Sequence, residues 1–311
     1  MICRTQFWGR VAGSCYTGAV PDSALRPRSG SSAKALLLTL LGEFVLSHDR
    51  TIWTSTIVSG LGLLDVGERN ARQAVARLSE QGILLSERRG RRTQWRLTEA
   101  GTRMLTIGTE RIYGFGGDGA AWDSHWLVVL ASVPEEQRAK RHQLRSQLQF
   151  AGFGFIGPGV AVTPHTNREG AANAILSELE LDDNAVVLLA ETGSFVSDDE
   201  MIRRAWDLDE LSNRYTQFLG EFAQRQPRSP ASQFVSLVEL VHAWRRFPFA
   251  DPEIPSSLLP ARWPGRKAKQ LFDGRHTSWA PAANEWFVGA EAHGDGLIVS
   301  STESRRIETS M

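Results

Sequence analysis

The stretch ERNARQAVARLSEQGILLSERRGRRTQWRL, residues 68–97, carries the reading on which the organisation of the whole chain turns. Its first half places Ala71, Ala74, Val75 and Leu78 at i, i+3, i+4 and i+7, the spacing that lines one face of an α-helix with small and apolar side chains. The same period turns Arg69, Arg72, Gln73 and Ala76 to the opposite face and leaves Arg77 nearer the shoulder. Gly82 stops the helix, and two β-prone runs, Ile83–Glu87 and Thr93–Leu97, follow, joined by Arg88-Arg89-Gly90-Arg91-Arg92. The spacing therefore predicts a helix over 68–81 and then a β-hairpin.

Upstream, helical periodicity begins at Ala33 and carries Leu37, Leu40, Leu41 and Phe44 on one face. Thr54 can cap a second helix with Ile57, Val58 and Leu61 turned inward, and Gly62 through Gly67 supply a bend before the third. Three helices and a hairpin are winged helix–turn–helix order, which assigns residues 33–116 to one domain. The Ser/Gly/Pro-rich run Pro21–Ser32 makes residues 1–32 an expected disordered extension. Downstream, Thr98-Glu99-Ala100-Gly101 opens another helix, and the glycines of Gly114–Gly119 mark a linker with a boundary near 117.

Beyond it, Trp126–Val133, Gly159–Thr163 and Ala185–Ala190 are strand-like, with helical runs from Pro134 to Phe150 and Ala171 to Leu179 between them. This order suits a ferredoxin-like α/β sandwich over 117–197, with Gly152–Gly157 as a turn. After Ser197 the pattern is helical, clearest in Leu208–Phe222 and Phe234–Phe247, followed by the proline-punctuated run Pro248–Pro264. Residues 198–311 are accordingly expected as a mostly helical C-terminal domain with a disordered tail, and the whole chain as α+β.

The net charge is zero, from 35 basic and 35 acidic residues, so affinity for a polyanion must come from segregated charge. It is segregated: Gly67–Arg103 holds nine arginines against four glutamates, a surplus of five. Arginine and glutamine pair bidentately with guanine and adenine edges in the major groove, which suits Arg69, Arg72 and Gln73 on an outward helix face. Arg77 is placed to reach phosphate. Arg88, Arg89, Arg91 and Arg92 around one glycine suit a wing lying along a phosphate backbone. With Thr54 at the head of the second helix, these nine residues form the expected contact set for double-stranded DNA.

Other chemistry has little foothold. Cys3 and Cys15 are too few for a disulfide framework or a cysteine zinc site, which fits a reducing, cytoplasmic setting. The apolar run Ala35–Leu41 is far shorter than the roughly 20 residues a membrane span needs, so no membrane partner is expected. The seven histidines are scattered, with no zinc-like spacing. Gly152–Gly157 lacks the setting of a phosphate-binding loop, and Ser194 and Ser197 lack a nucleophile elbow. No catalytic site, metal or resident cofactor is expected. The helix 135–150 carries Arg138, Lys140, Arg141, His142 and Arg145, basic enough to attract a phosphorylated ligand. Trp206, Trp244, Trp263, Trp279 and Trp286 suit an aromatic pocket or, more usually for tryptophan, a core.

Several spaced motifs in this chain resemble the PaaX family of bacterial transcriptional regulators. They begin with Asn70-Ala71-Arg72-Gln73-Ala74-Val75-Ala76-Arg77-Leu78, Gly82 and Gly108-Thr109-Glu110-Arg111-Ile112-Tyr113. Trp122-Asp123, Trp126, Val133-Pro134-Glu135, Arg138, Arg141, Leu144-Arg145, Leu148, Gly152-Phe153-Gly154 and Pro164 continue the likeness through the middle segment. Trp244-Arg245-Arg246-Phe247, Asp251-Pro252-Glu253-Ile254-Pro255, Leu258-Leu259-Pro260, Trp263-Pro264-Gly265 and Ala268 resemble the family's C-terminal signature. The resemblance implies a homodimer that represses aromatic-acid degradation genes, commonly those for phenylacetate. It further implies release of the operator when an aryl-coenzyme A thioester such as phenylacetyl-coenzyme A binds. For that effector Arg138, Arg141, Arg145, Trp244 and Trp263 are the candidate residues. One alternative is a regulator of another pathway sensing a different acyl-coenzyme A. The enzymatic alternative is a metal-dependent nuclease, because the middle segment also resembles ferredoxin-like CRISPR-associated nucleases. Those carry an aspartate just after the first strand, where this chain has Ala131-Ser132-Val133.

Overall fold

Apolar side chains at helical spacing dominate the first and last described segments, and two short antiparallel sheets lie between them in sequence. The computed structural model describes residues 32–46, 50–117 and 121–292; the extension expected over 1–32 and the tail after 292 lie outside the described residues, Ser32 excepted. The described chain divides into two compact units, one built from 32–115, 218–245 and 268–292, the other from 116–117, 121–217 and 246–267.

In the first unit, α1 (Ala33–Leu40) starts at Ser32, whose hydroxyl accepts from the Ala35 amide, and runs on as a π-helical turn, Leu41–Val45. Leu37, Leu40, Leu41 and Phe44 are buried, as their spacing predicts. A two-residue strand β1 (Ile52–Trp53), α2 (Thr54–Gly62) and α3 (Glu68–Glu80) follow. Then come the hairpin strands β2 (Leu84–Arg89) and β3 (Arg92–Leu97), with β1 paired to β3. Thr54 does not cap α2: it is the helix's first residue, the capping position is Trp53, and no side chain closes the cap. Its hydroxyl instead donates to the Thr93 carbonyl at 3.1 Å and accepts from Trp95 Nε1 at 2.9 Å, tying α2 to the hairpin. α4 (Glu99–Gly114) is capped by Thr98.

Two later helices complete this unit. α9 (Pro230–Trp244) begins with a capping box between Ser229 and Ser232, and α11 spans Gly265–Ala292. Phe44 stacks on Phe287 with centroids 5.0 Å apart and sits 5.2 Å from Phe234, so helices from the two ends of the chain share one core. The helices after 198 are divided between the two units. α1 buries Leu36, Leu37, Thr39 and Leu40 and packs against both α3 and α9.

The second unit runs β4 (Trp126–Ala131), α5 (Arg138–Phe150), β5 (Gly154–Gly157), β6 (Val160–Thr163), α6 (Glu169–Glu178), β7 (Ala185–Ala190) and α7 (Asp198–Ala205). The strands lie in the order β5-β6-β4-β7, antiparallel throughout. Residues 154–157, expected within a turn, are thus an edge strand. Gly154 answers to packing: a Cβ there would lie 2.6 Å from Ala205 Cβ and from Trp206 Cε2. Leu127, Val129, Leu144, Leu148, Phe153 and Leu176 form the core between sheet and helices, while Trp126 and Val162 pack with Ile202, Ile254 and Leu258 on the other face. α8 (Leu208–Phe222) contributes to both units, and α10 (Phe247–Ala250) places Phe247 flat against Tyr215 at 4.2 Å. No helix among the described residues is long and apolar enough to cross a membrane.

Candidate nucleic-acid interface

α3 sorts its side chains as the period dictates. Ala71, Ala74, Val75 and Leu78 are buried, whereas Arg69, Arg72, Gln73, Ala76 and Arg77 are exposed. The small alanines permit close approach to α1 and α2, both of which pack on α3. Glu68, Arg69, Arg72, Gln73 and Ala76 line one open concavity on the outer face. Arg72 is held there by Glu68, with Nε and Nη2 each 2.8 Å from Oε1. Sequence reasoning missed Glu68 as part of the site, although the acid-to-arginine spacing of i, i+4 on one helix face was its available signal.

The hairpin behaves differently from its expectation as a single arginine cluster. β2 and β3 reach as far as Arg89 and Arg92, leaving only Gly90 and Arg91 in the turn, with Gly90 at φ 63°. That positive φ at the first turn position suits glycine and closes a two-residue hairpin. Arg89 is paired directly with Arg92, and Arg88 with Thr93. Because successive strand residues alternate between faces, Arg89, Arg92 and Arg96 share one face with Glu87. Arg88 falls on the opposite one, with Leu84 and Trp95. Glu87 accepts from Arg96 at 2.9 Å and from Arg89 at 3.4 Å, offsetting part of the like-charge repulsion. Arg88 Nε reaches back to the Gly90 carbonyl at 3.4 Å. Thr54 is half-buried, and its hydroxyl, engaged by Thr93 and Trp95, ties α2 to the hairpin.

The effector candidates are dispersed. On α5, Arg138 and Arg141 both pair with Glu135, at 3.4 and 2.7 Å, and Arg141 also donates to the Val133 carbonyl. The Arg145 guanidinium lies 4.4 Å from the centre of the Phe155 ring, in cation–π contact. Trp244 is a core residue: fully buried, stacked on Phe272 at 4.8 Å, its Nε1 donating to the Ile112 carbonyl. In this structure its ring is closed off from solvent. Trp263 belongs to the other unit, half-buried and edge-on to Tyr215. The Tyr215 hydroxyl donates to Asp251 at 2.6 Å, and burial pushes the Asp251 carboxyl above the usual carboxylate range. Among the described residues no three His, Cys, Asp or Glu side chains converge as metal ligands.

Comparison with known proteins returns three consecutive matches. Residues 32–101 match the family described as PaaX-like protein, residues 119–202 the PaaX protein central Cas2-like domain, and residues 206–289 the PaaX-like protein C-terminal domain. The transcriptional repressor PaaX of Escherichia coli strain K12 is 29% identical over 268 residues, covering 83% of this chain and 82% of that protein. An uncharacterized protein from Mycobacterium tuberculosis superposes with a TM-score of 0.57 over 83% of this chain and 98% of its own; at 20% identity that likeness speaks to the fold alone. Three family segments in unbroken order, together with a relative aligned along most of both chains, place this protein in the PaaX family.

Proposed function

We propose that this protein is a homodimeric transcriptional repressor of the PaaX type, in which α3 enters the major groove of an operator and the β2–β3 hairpin lies against phosphate. In this reading residues 33–116 are a winged helix–turn–helix, with α3 as the reading helix and the hairpin as the wing. Residues 117–197 are a ferredoxin-like sandwich, since β-α-β-β-α-β in the order β5-β6-β4-β7 is that fold's arrangement. Residues 198–292 are a mostly helical C-terminal segment. The observation that carries the proposal is the outer face of α3. Arg69, Arg72, Gln73 and Ala76 are exposed side by side, opposite a fully buried Ala71, Ala74, Val75 and Leu78.

The effector is an aryl-coenzyme A thioester, with phenylacetyl-coenzyme A as the first to try, and Arg138, Arg141, Arg145 and Trp263 as the residues to test. Release requires that the thioester bind the DNA-incompetent state more tightly than the competent one. A nuclease reading finds no support at the position where such chemistry would need it, because Ala131-Ser132-Val133 leaves β4 without a carboxylate.

The experiment is a fluorescence-anisotropy titration of the full chain against a labelled duplex from the DNA upstream of its own gene. Tight binding at low salt should weaken by roughly 10³-fold or more between about 50 and 200 mM salt. Micromolar phenylacetyl-coenzyme A should release the duplex, and Mg²⁺ should leave it uncut. Absent or salt-indifferent binding overturns the DNA reading. Binding that persists through phenylacetyl-coenzyme A but yields to another acyl-coenzyme A overturns only the choice of effector.

A further inference from the structure

We propose that Glu68 is a positioning residue for base recognition: it clamps one edge of the Arg72 guanidinium so that the adjoining edge is presented to a guanine. The inference rests on the DNA reading above and deepens it to a residue whose own charge opposes DNA binding.

The geometry is specific. Arg72 donates from Nε and Nη2 to a single oxygen, Glu68 Oε1, each at 2.8 Å, which occupies the side-on edge of the guanidinium. The adjoining end-on edge, formed by Nη1 and the second hydrogen of Nη2, still presents two parallel donors that match guanine O6 and N7 in a bidentate pair. Both partners are more than half exposed, 58% for Arg72 and 59% for Glu68, so the pair lies on the outer surface of α3 and not in its packing. An exposed i, i+4 pair of this kind adds little to helix stability, and an acid in the first turn of α3 also suits the helix dipole; neither effect needs the two-point hold that Glu68 takes on Arg72. Among the described residues Arg69 and Arg77, the other arginines of α3, have no comparable carboxylate clamp.

The physical consequence has two opposite signs. Arginine loses much rotamer freedom on binding, and a side chain already held in its reading geometry loses less. Glu68 should therefore favour the correct guanine. The same carboxylate repels the phosphates of any duplex, correct or not. Clamping thus raises discrimination at the expense of general affinity, a combination that neither a purely structural glutamate nor a directly repelled one would produce.

The test uses the full chain and a duplex selected by the wild-type protein from a random-sequence pool, with each guanine replaced in turn by 7-deazaguanine to find the one that Arg72 contacts. Glu68→Gln should bind unrelated duplex two- to fivefold more tightly, yet lose about tenfold of its preference for the selected duplex over the 7-deazaguanine version. Arg72→Ala should abolish that preference, and adding Glu68→Gln to Arg72→Ala should change it no further. Glu68→Asp, which keeps the charge, should retain more of the preference than Glu68→Gln. Melting temperatures taken alongside separate this from unfolding. An unchanged preference in Glu68→Gln, or losses that simply add in the double variant, overturns the clamp while leaving DNA binding intact. Failure of the wild-type chain to select any duplex instead overturns the DNA reading itself.

Discussion

α3 and the β2–β3 hairpin are both arginine-rich and lie next to each other in sequence, but they distribute their charge by different rules. On α3 the period of 3.6 gathers Arg69, Arg72 and Gln73 on the side away from the buried alanines, so a run of sequence becomes one surface. On the hairpin the period is two, and adjacent arginines part: Arg89 goes with Arg92 and Arg96, and Arg88 goes with Trp95. Charge density read along a strand therefore overstates the charge that any one face presents. In the reading proposed above, the helix meets bases at fixed positions, whereas the hairpin meets phosphate with charge split between a tip and two faces. The acids follow the same division, with Glu68 clamping one arginine on the helix and Glu87 bridging two on the hairpin.

The largest expected effect lies beneath the helix surface. Leu78→Ala removes a fully buried side chain at the α3 core and should cost about 2–5 kcal/mol in urea unfolding, with DNA binding lost in proportion. If binding survives such destabilisation undiminished, α3 is not the reading element. Arg72→Ala should come next, lowering discrimination at one base pair by about 1–3 kcal/mol while hardly touching affinity for unrelated DNA. On the hairpin, Gly90→Ala forces a side chain into a left-handed turn and should cost about 1 kcal/mol, read as a lower melting temperature with faster amide exchange in 84–97. Arg91→Ala should weaken all duplexes alike and flatten the salt dependence by about one unit of slope. Arg88→Ala should flatten it measurably less than Arg89→Ala if only one hairpin face meets phosphate. Equal slopes for those two would show that the face assignment does not govern the contact.

Much of this organisation was legible before any coordinates. The α3 face, the helix expected over 208–222, the helix opening at Thr98–Gly101 and the strand 185–190 all depend on local periodicity or local sequence signals, and all are found. The misses are of another kind. β5 was hidden because Gly154 and Gly157 look like turn residues, when the neighbourhood of Ala205 and Trp206 is what excludes a side chain at 154. Thr54 has the composition of a cap, but a closer partner on the hairpin takes its hydroxyl. Trp244 belongs to a signature-like motif, yet its ring is needed to fill the core beside Phe272 and Phe218.

The amino-acid sequence alone determined the cationic helix, the hairpin beside it, three of the four strands and both intervening helices of the middle segment, and the likeness to a family. Each is either a repeat within a dozen residues or a set of motifs in order. Only the tertiary structure decided which arginines share a face and that helices from both ends of the chain build one unit. Those outcomes depend on strand register and on the pairing of Phe44 with Phe234 and Phe287. The physical reason is that apolar helices are interchangeable to local periodicity, and selecting among them takes shape-matched burial between residues far apart along the chain.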